Sequence, residues 1–442
     1  MAGSRSAPVG AGPGAPRVVV LGAGFGGLTL TRRLAKAPVR VLLIDRNNYH
    51  LFSPLLYQVA TAMLNPSEVA QPVRRLLGRQ RNADFMQADI EGIDLERKEV
   101  RTSRGRVRYD TLVIATGSTT NFFGNASLAD RSYPMKMLEE GLALRNRILT
   151  QFEHAEWAAD EAERRRLLSF AIIGGGPTGI EFAGALSELV ALMLRRDYHR
   201  IGADEPAVRL FEGGDRLLPA FDPRLSAAAL RSLSRKHVPV ELGALVDTVE
   251  PDRIRLHDGR EIPAATVVWT AGVRGVDVDP ALGAQARHGN RIPVDDRLRL
   301  QGHPEVFAIG DGAGRDELPM LIPVAMQQAE YLAAAIPAGG PAAPFRYRDP
   351  GIMATIGRYA GVAQFGRIRV SGVVGWGMWL FVHLLNVMTF RTRVLVLMNW
   401  AWDYFFYDRP IRIHVRAGAG PEATLTDPRR TGPVGAAEKT VR

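Results

Sequence analysis

Short runs of wholly apolar residues that end at a cluster of glycines occur twice along the chain. RVVVLGAG begins at residue 17 and SFAIIGGG begins at residue 169, and each is followed by a helix-like segment and a second apolar run. Apolar runs of this length without alternation are typical of strands buried on both faces of a parallel sheet. The pattern predicts an α/β protein with two doubly wound, Rossmann-like domains.

The first glycine cluster has the spacing G-x-G-x-x-G, with Gly22, Gly24 and Gly27 between a predicted strand and a predicted helix. In such a turn the first glycine allows a tight bend and the second lets a diphosphate approach the backbone. The third lets the helix pack on the strand. Asp45 ends the next strand, 23 positions after Gly22, where a carboxylate would accept hydrogen bonds from ribose hydroxyls. The alternative is a glycine-rich turn without a ligand.

The second cluster repeats this spacing with Gly174, Gly176 and Gly179, and the following strand ends at Glu212. A carboxylate at that strand end repels a 2′-phosphate and therefore favours NADH over NADPH. Arg216 lies close enough to weaken this preference, and the alternative is that Glu212 is a solvated strand end. Two dinucleotide sites in one chain imply a transfer between two dinucleotides.

Three further apolar strands end in turns of small residues. The first turn holds Thr116 and Gly117, the second holds Gly272, and the third holds Gly310 and Asp311. The first two turns are expected where the chain crosses between domains near a cofactor. Asp311 is a candidate acceptor for the hydroxyls of a sugar-alcohol chain, and the neighbouring backbone N–H groups would face a phosphate.

The composition excludes several kinds of chemistry. The chain has 442 residues and no cysteine, so disulfide scaffolds, thiolate zinc sites, iron–sulfur clusters and dithiol mechanisms are excluded. Redox chemistry must therefore belong to a bound cofactor, and we predict no metal site. The net charge of +10 favours an anionic partner. The basic residues are scattered without interleaved aromatic residues, so we do not expect nucleic acid as a partner.

The two ends and the C-terminal region differ from the rest in composition. Residues 1–16 and 417–442 are rich in Gly, Pro and Ala and are predicted to be disordered tails. Residues 372–390 contain no Asp, Glu, Lys or Arg, and tryptophans and arginines follow. Three interpretations compete: a single membrane span, helices lying in the membrane interface, and a core helix. A histidine and an asparagine inside the run favour the interfacial anchor.

At this point the sequence resembles the two-dinucleotide flavoprotein superfamily and, within it, the type II NADH:quinone oxidoreductases. The resemblance covers about residues 17–415. Its most specific segments are DRNNYHLFSPLLYQVATA at 45–62, GGGPTGIEFAGALSEL at 174–189 and GIMATIGRYAGVAQFG at 351–366.

The resemblance implies a non-covalent FAD, NADH as substrate and a membrane quinone as acceptor. The FAD contacts implied are Gly22, Gly24, Phe25, Gly26, Gly27, Asp45, Arg46, Thr116, Gly117, Gly310, Asp311 and Ala325. The NADH contacts implied are Gly174, Gly176, Pro177, Thr178, Gly179, Glu212 and Gly272. The implied domains are an FAD-binding domain at 17–130 and 300–345, an NADH-binding domain at 131–299 and a membrane-associating region at 346–416.

The resemblance also suggests catalytic residues. Glu181 matches a family glutamate near the nicotinamide and flavin rings, and the alternative is a carboxylate that caps the helix. Relatives carry A-Q-x-A-x-Q beside the flavin on the quinone side. In this chain the second glutamine matches, as Gln327, but the first is replaced by Pro323. Proline offers no hydrogen-bond donor, so a quinone carbonyl needs another partner, such as Gln328 or the backbone. The alternative is that this segment is only a helix packed on the first domain.

Together these features predict a peripheral membrane flavoenzyme that passes electrons from NADH to a quinone without pumping protons. It is expected on the cytoplasmic side of the cell inner membrane and against an anionic lipid surface. Whether it forms a homodimer is left open. Two alternatives remain: a soluble NADH-dependent flavoreductase with a protein acceptor, and a non-enzymatic NADH-sensing flavoprotein.

Overall fold

The computed structural model of the protein describes residues 14–279, 282, 289–315, 318–406, 409 and 411–413. Apart from residues 14–16, the two predicted tails lie outside the described residues.

The described residues form helices and strands in close alternation. The helices are α1 (Phe25–Arg33), α2 (Leu56–Ala60), α3 (Pro66–Val69), α4 (Val73–Leu77), α5 (Ala126–Arg131), α6 (Leu138–Glu156), α7 (Glu161–Leu167), α8 (Pro177–Arg196), α9 (Pro223–Arg235), α10 (Ile322–Ala335), α11 (Gly372–Asn386) and α12 (Phe390–Phe406). The strands are β1 (Arg17–Leu21), β2 (Arg40–Asp45), β3 (Tyr49–Leu51), β4 (Ala70–Pro72), β5 (Ala83–Gln87), β6 (Ile90–Asp94), β7 (Glu99–Thr102), β8 (Gly105–Arg108), β9 (Thr111–Ile114), β10 (Ser118–Thr120), β11 (Tyr133–Pro134), β12 (Ser169–Ile173), β13 (Ala207–Glu212), β14 (Val240–Leu242), β15 (Val246–Val249), β16 (Arg253–Leu256), β17 (Glu261–Pro263), β18 (Thr266–Trp269), β19 (Val273–Gly275), β20 (Ile292–Pro293), β21 (Arg299–Leu300), β22 (His303–Ala308), β23 (Ala313–Gly314), β24 (Ile352–Thr355), β25 (Gly361–Phe365) and β26 (Ile368–Ser371). Single 3-10 turns occur at Leu34–Lys36, Ser53–Leu55, Gly310–Gly312 and Ile336–Ala338.

The first sheet has the strand order β21-β22-β9-β1-β2-β5, and all of its strands except β21 run parallel. Its central strand β1 is buried from Val18 to Leu21. Helices α1 and α10 pack together on one face, and the antiparallel sheet β6-β7-β8 belongs to the core on the other face. Burial on both faces explains why this strand has no alternation of polar and apolar residues.

The second sheet has the order β11-β18-β12-β13-β14 and is wholly parallel. Helix α8 follows β12 directly, and a separate antiparallel sheet, β15-β16-β17, packs with Trp269 in the core of the opposite face. The two parallel sheets confirm the prediction of two doubly wound α/β units.

The two sheets are joined by a short ribbon. Strand β10 leaves the first sheet after β9, strand β19 leaves the second after β18, and these two strands pair antiparallel, with Ser118 opposite Gly275. The turns that hold Thr116 and Gly272 therefore flank this ribbon. The ribbon brings the carboxyl ends of β9 and β18 together.

The C-terminal region comprises the antiparallel sheet β24-β25-β26 and the helices α11 and α12. Trp379 of α11 and Trp400 of α12 are among the largest fully buried side chains of the protein. The apolar run at 372–390 is not one helix, since Val387 takes an extended conformation after Asn386. Fifteen helical residues span about 22 Å, which is less than the hydrocarbon core of about 30 Å. This length argues against the interpretation of the run as a single span.

Among the described residues, α8 is the helix that is long and apolar enough to cross a membrane. About two thirds of its apolar stretch (67%) is buried inside the protein. Helix α8 is therefore the core helix of the second unit.

The two tryptophans at 400 and 402 offer a matched test of this packing. Trp400 is 2% exposed and its Nε1 donates a 2.8 Å hydrogen bond to Oε1 of Gln58, whereas Trp402 is 52% exposed. We expect Trp400→Ala to destabilise the protein by about 3–5 kcal/mol and Trp402→Ala by less than about 0.5 kcal/mol. Thermal unfolding of both variants checks this, and equal effects would show that α12 is not docked through Trp400.

Candidate active site

The first glycine loop leads directly into the N-terminus of α1. Gly24 precedes the helix, and no side chain caps its N-terminus. Gly22 has a φ of +102°, and a Cβ on Gly27 would overlap the carbonyl oxygen of Gly22. A Cβ on Gly24, in contrast, would meet no protein atom within 4 Å. The third glycine is thus required by packing, and the second leaves open space at a helix N-terminus, where an anion is stabilised.

The second loop is built in the same way. Gly174 has a φ of +111°, and a Cβ on Gly179 would overlap the carbonyl oxygen of Gly174. The space in front of Gly176 is open. Pro177 and Thr178 form the exposed first turn of α8, which also lacks a side-chain cap. The chain therefore carries two equivalent anion-binding turns, one on each parallel sheet.

The carboxylates at the two strand ends hold these loops in place. Asp45 accepts hydrogen bonds from the backbone N–H groups of Ala23 at 2.6 Å and Asn47 at 2.7 Å. Glu212 accepts them from Gly175 at 2.5 Å and Gly214 at 2.7 Å. Each carboxylate retains lone pairs for a further donor. The sequence assigned both residues to ribose, and the structure adds that both clamp the loop.

His50 is a polar group at the first loop that sequence reasoning did not single out. Its ring is fully buried, and Nδ1 lies 2.8 Å from the carbonyl oxygen of Ala23. Burial lowers the pKa of His50. Because a carbonyl only accepts, Nδ1 must carry the proton and Nε2 must be an acceptor. Nε2 has no hydrogen-bond partner among the described residues, as expected if a bound group supplies the donor.

The turn after β22 contacts the turn after β9. The hydroxyl of Ser118 donates to Asp311, and Nζ of Lys136 lies 3.5 Å from the same carboxylate. A Cβ on Gly312 would lie 3.5 Å from the carbonyl oxygen of Gly117. The structure thus brings the turns at 116–118 and 310–312 together, although 193 positions separate Ser118 and Asp311. Ser118 and Lys136 carried no local signal in the sequence.

The two glutamines of α10 face different partners. The side chain of Gln327 donates to the carbonyl oxygen of Arg348 at 2.8 Å and accepts from its N–H at 3.0 Å. Gln328 is 1% exposed, and its Oε1 accepts from the N–H of Gly310 at 2.6 Å. Ala325 packs beside Gly310 and Gly26. Gln328 therefore adjoins the site, whereas Gln327 binds the backbone of Arg348.

Glu181 lies on α8, just beyond the second loop, and is buried. Its Oε1 accepts hydrogen bonds from Nε1 of Trp379 at 3.0 Å and from the N–H of Thr355 at 3.2 Å. Burial raises the pKa of Glu181 to about 8. The carboxyl group therefore holds a proton at neutral pH.

A series of rings connects the first loop with Glu181. The ring centroids of Phe25 and Phe52 are 5.8 Å apart, and those of Phe52 and His383 are 6.4 Å apart. His383 stacks on Trp379 at 4.0 Å, and Trp379 bonds to Glu181. Both glycine loops and the C-terminal helices thus meet around one apolar junction.

The remaining predicted contacts lie near these loops. Arg46 follows Asp45 and is mostly exposed, with Asp89 at 3.9 Å. Gly272 accepts a hydrogen bond from the N–H of Asn121 at 3.0 Å and lies against Phe123.

Comparison with known proteins agrees with this geometry. The family model described as pyridine nucleotide-disulphide oxidoreductase matches residues 16–329. The chain is 36% identical over 402 residues to the type II NADH:quinone oxidoreductase Ndh of Mycobacterium tuberculosis, covering 87% of each chain. It is 29% identical over 433 residues to the mitochondrial internal alternative NAD(P)H-ubiquinone oxidoreductase A1 of Arabidopsis thaliana, covering 88% of this chain and 84% of that one.

Solved structures share the fold. NDH2 of Plasmodium falciparum in complex with NADH has a TM-score of 0.82 at 18% identity and covers 90% of this chain and 99% of that chain. The sulfide:quinone oxidoreductase of Aquifex aeolicus has a TM-score of 0.67 at 17% identity and covers 89% and 96%.

Two glycine loops on two parallel sheets define the class of oxidoreductases that bind two dinucleotides. The chain belongs to the pyridine nucleotide-disulphide oxidoreductase family and, within it, to the type II NADH:quinone oxidoreductases. Despite the family name it has no cysteine, so a disulfide plays no part in its chemistry.

The open spaces at Gly24 and Gly176 allow each loop to be blocked separately. We expect Gly24→Ala to weaken flavin binding and Gly176→Ala to weaken NADH binding, because the added methyl group meets only the ligand. A steric penalty of about 1–3 kcal/mol lowers affinity by about 5- to 150-fold. Bound flavin is measured by absorbance, and NADH affinity by titration. Gly377→Ala, at an equally open position of α11, is the control. An unchanged flavin affinity in Gly24→Ala would contradict the assignment.

Proposed function

We propose that the protein is a peripheral membrane flavoenzyme that oxidises NADH and reduces a membrane quinone, with a non-covalent FAD and without pumping protons. The observation that carries the proposal is the pair of open glycine loops, which a series of ring contacts connects with the buried carboxyl group of Glu181. The activity in the names of the Mycobacterium tuberculosis and Arabidopsis thaliana relatives supports it.

The residues of the first loop fit FAD. The N–H groups at the start of α1 would hold the diphosphate, Asp45 the ribose, and the turn of Thr116, Gly117, Gly310 and Asp311 the sugar-alcohol chain and its phosphate. Phe25, Gly26, Arg46 and Ala325 line the same end of the first sheet in this proposal. When bound, FAD supplies the exchange of a hydride and of electron pairs.

The residues of the second loop fit NADH. The N–H groups at the start of α8 would hold its diphosphate, with Pro177 and Thr178 in the first turn and Gly272 at the crossing strand. Glu212 would accept from the ribose and repel the 2′-phosphate of NADPH. In this proposal the unit at 131–299 is the NADH-binding domain, and 17–130 with 300–345 is the FAD-binding domain.

Glu181 is proposed as the residue that holds a proton for the quinone. Its partners Trp379 and Thr355 both donate, so they stabilise the charged form, and burial opposes them more strongly. We propose the quinone side near Gln327 and Gln328, since Pro323 offers no donor. Of the two glutamines, Gln328 adjoins the turn at Gly310.

The exposed faces of α11 and α12 support membrane association, the proposed role of residues 346–416. Twelve apolar side chains on these helices are each at least one third exposed: Val373, Val374, Phe381, Leu385, Phe390, Val394, Leu395, Leu397, Met398, Trp402, Phe405 and Phe406. Apolar surfaces of this extent are typical of membrane or protein contact sites. Because NADH is abundant in the cytoplasm, we place the protein on the cytoplasmic side of the cell inner membrane, against an anionic lipid surface.

A soluble flavoreductase and a non-enzymatic NADH sensor remain the rivals, and a homodimer stays an open question. Deleting the chain from residue 372 onward does not separate these functions cleanly, because Trp379 and Trp400 belong to the core. Spectroscopy of the whole protein distinguishes the proposed function from these two rivals.

The proposal is tested by adding NADH to the purified protein and then a lipid-soluble quinone. We expect the flavin absorbance to bleach with NADH and to return with quinone, over many cycles. A colourless protein, or colour that returns only with a protein acceptor, would overturn the proposal.

The proton on Glu181 predicts a pH dependence. Its pKa of about 8 means that the proton is present below that pH and lost above it, so quinone reduction should slow as the pH rises through about 8. We expect Glu181→Gln to be about 100-fold slower at pH 7 and independent of pH, with reduction by NADH unchanged.

Trp379→Phe serves as the second variant. It removes a hydrogen bond that favours the charged carboxylate, so the pH at which the rate falls should move upward. Stopped-flow half-reactions measure both rates. If Glu181→Gln keeps the wild-type pH profile, another group supplies the proton.

A further inference from the structure

A cavity of about 430 Å³ opens between α9 and the β25–β26 hairpin, and no residue of either glycine loop lines it. Four arginines line it: Arg224 and Arg231 from α9, and Arg367 and Arg369 from the hairpin. Leu225, Ala228 and Ser371 complete the lining. A cavity of this size is sufficient for a small polar ligand.

The positive charge of this cavity is largely uncompensated. Arg369 pairs with Asp222, with 2.6 Å between Nε and Oδ2. The carboxylate of Asp222 also interacts electrostatically with Arg224. In the part of the chain that the structure describes, no salt bridge joins Arg231 or Arg367 to a carboxylate, so one carboxylate faces four guanidinium groups. Asp222 also caps α9 through the N–H of Arg224 at 3.0 Å. The cavity is thus an anion site built from side chains, and guanidinium groups bind phosphate oxygens in pairs.

The surroundings of the cavity indicate which anion it takes. Ser371, at its rim, is the residue before α11, the first of the two helices with exposed apolar faces. Val373 and Val374, two and three positions further along the chain, are 59% and 65% exposed. A ligand that combines a phosphate with hydrocarbon chains would satisfy both the arginines and these side chains.

We propose that this cavity binds the phosphate headgroup of one anionic phospholipid, whose acyl chains lie along Val373 and Val374 at the start of α11. The inference rests on the membrane association proposed above and adds a defined lipid site to it. A soluble anion such as phosphate would use the arginines and leave the apolar rim exposed.

The test compares binding to vesicles of phosphatidylcholine with binding to vesicles that also contain phosphatidylglycerol. The full-length variant Arg231→Gln/Arg367→Gln removes one unpaired arginine from each side of the cavity. The control, Arg79→Gln/Arg81→Gln, removes the same charge from exposed arginines after α4. NADH oxidation with a water-soluble quinone should be unchanged in both variants.

We expect the wild type and both variants to bind phosphatidylcholine vesicles equally through the apolar face. Phosphatidylglycerol should strengthen binding of the wild type and the control. The cavity variant should lose most of that gain, about 25-fold for two arginines at an anionic surface.

The other outcomes separate the two proposals. If the wild type binds neither kind of vesicle, membrane association itself is wrong, and the lipid site with it. If the cavity variant keeps the same gain as the control, only the lipid site is wrong. Calorimetry with inorganic phosphate tests whether the cavity binds a soluble anion instead of a lipid. Submillimolar phosphate binding that depends on Arg231 and Arg367 would assign the cavity to a soluble anion and overturn the lipid site.

Discussion

The absence of a side chain at Gly27 and Gly179 is the constraint on which both ligand sites depend. At each position a Cβ would overlap the carbonyl oxygen of the first glycine of the loop. Because Gly27 and Gly179 have no Cβ, α1 and α8 can begin directly at the end of a buried strand. The helix N-termini, which no side chain caps, then face open space at Gly24 and Gly176, and Asp45 and Glu212 hold the loops by hydrogen bonds. A loop that is already ordered binds its ligand at lower entropic cost.

Glu181 lies where residues from both parallel-sheet units and from the C-terminal region come together. A carboxyl group buried among aromatic side chains is costly to ionise, so it keeps its proton near neutral pH. Its position is set by α8, its hydrogen bonds by Thr355 and Trp379, and the ring series ties it to Phe25 of the first loop. The environment of this one carboxyl group therefore depends on both parallel-sheet units and on the C-terminal region. Neither parallel sheet alone could create that environment.

The C-terminal helices combine two roles that are usually separate. Trp379 and Trp400 pack into the core, while Phe390 and Phe405 are 80% and 82% exposed. The same helices therefore complete the interior and present an apolar exterior. A membrane bound there would lie next to the buried groups around Glu181, which suits an acceptor dissolved in lipid. The basic cavity at the start of α11 extends this surface with charge.

The sequence by itself determined the two strand–loop–helix units, their order and the class of ligand, because burial on two faces and a tight glycine turn leave local signatures. It also located the apolar C-terminal segment. Only the tertiary structure decided that this segment breaks at Val387, that Gln328 rather than Gln327 adjoins Gly310, and that Nε2 of His50 finds no partner within the described part of the chain. It also joined Lys136 to Asp311 and gathered four arginines around one cavity. These features depend on contacts between residues far apart in the chain, which periodicity and spacing cannot encode.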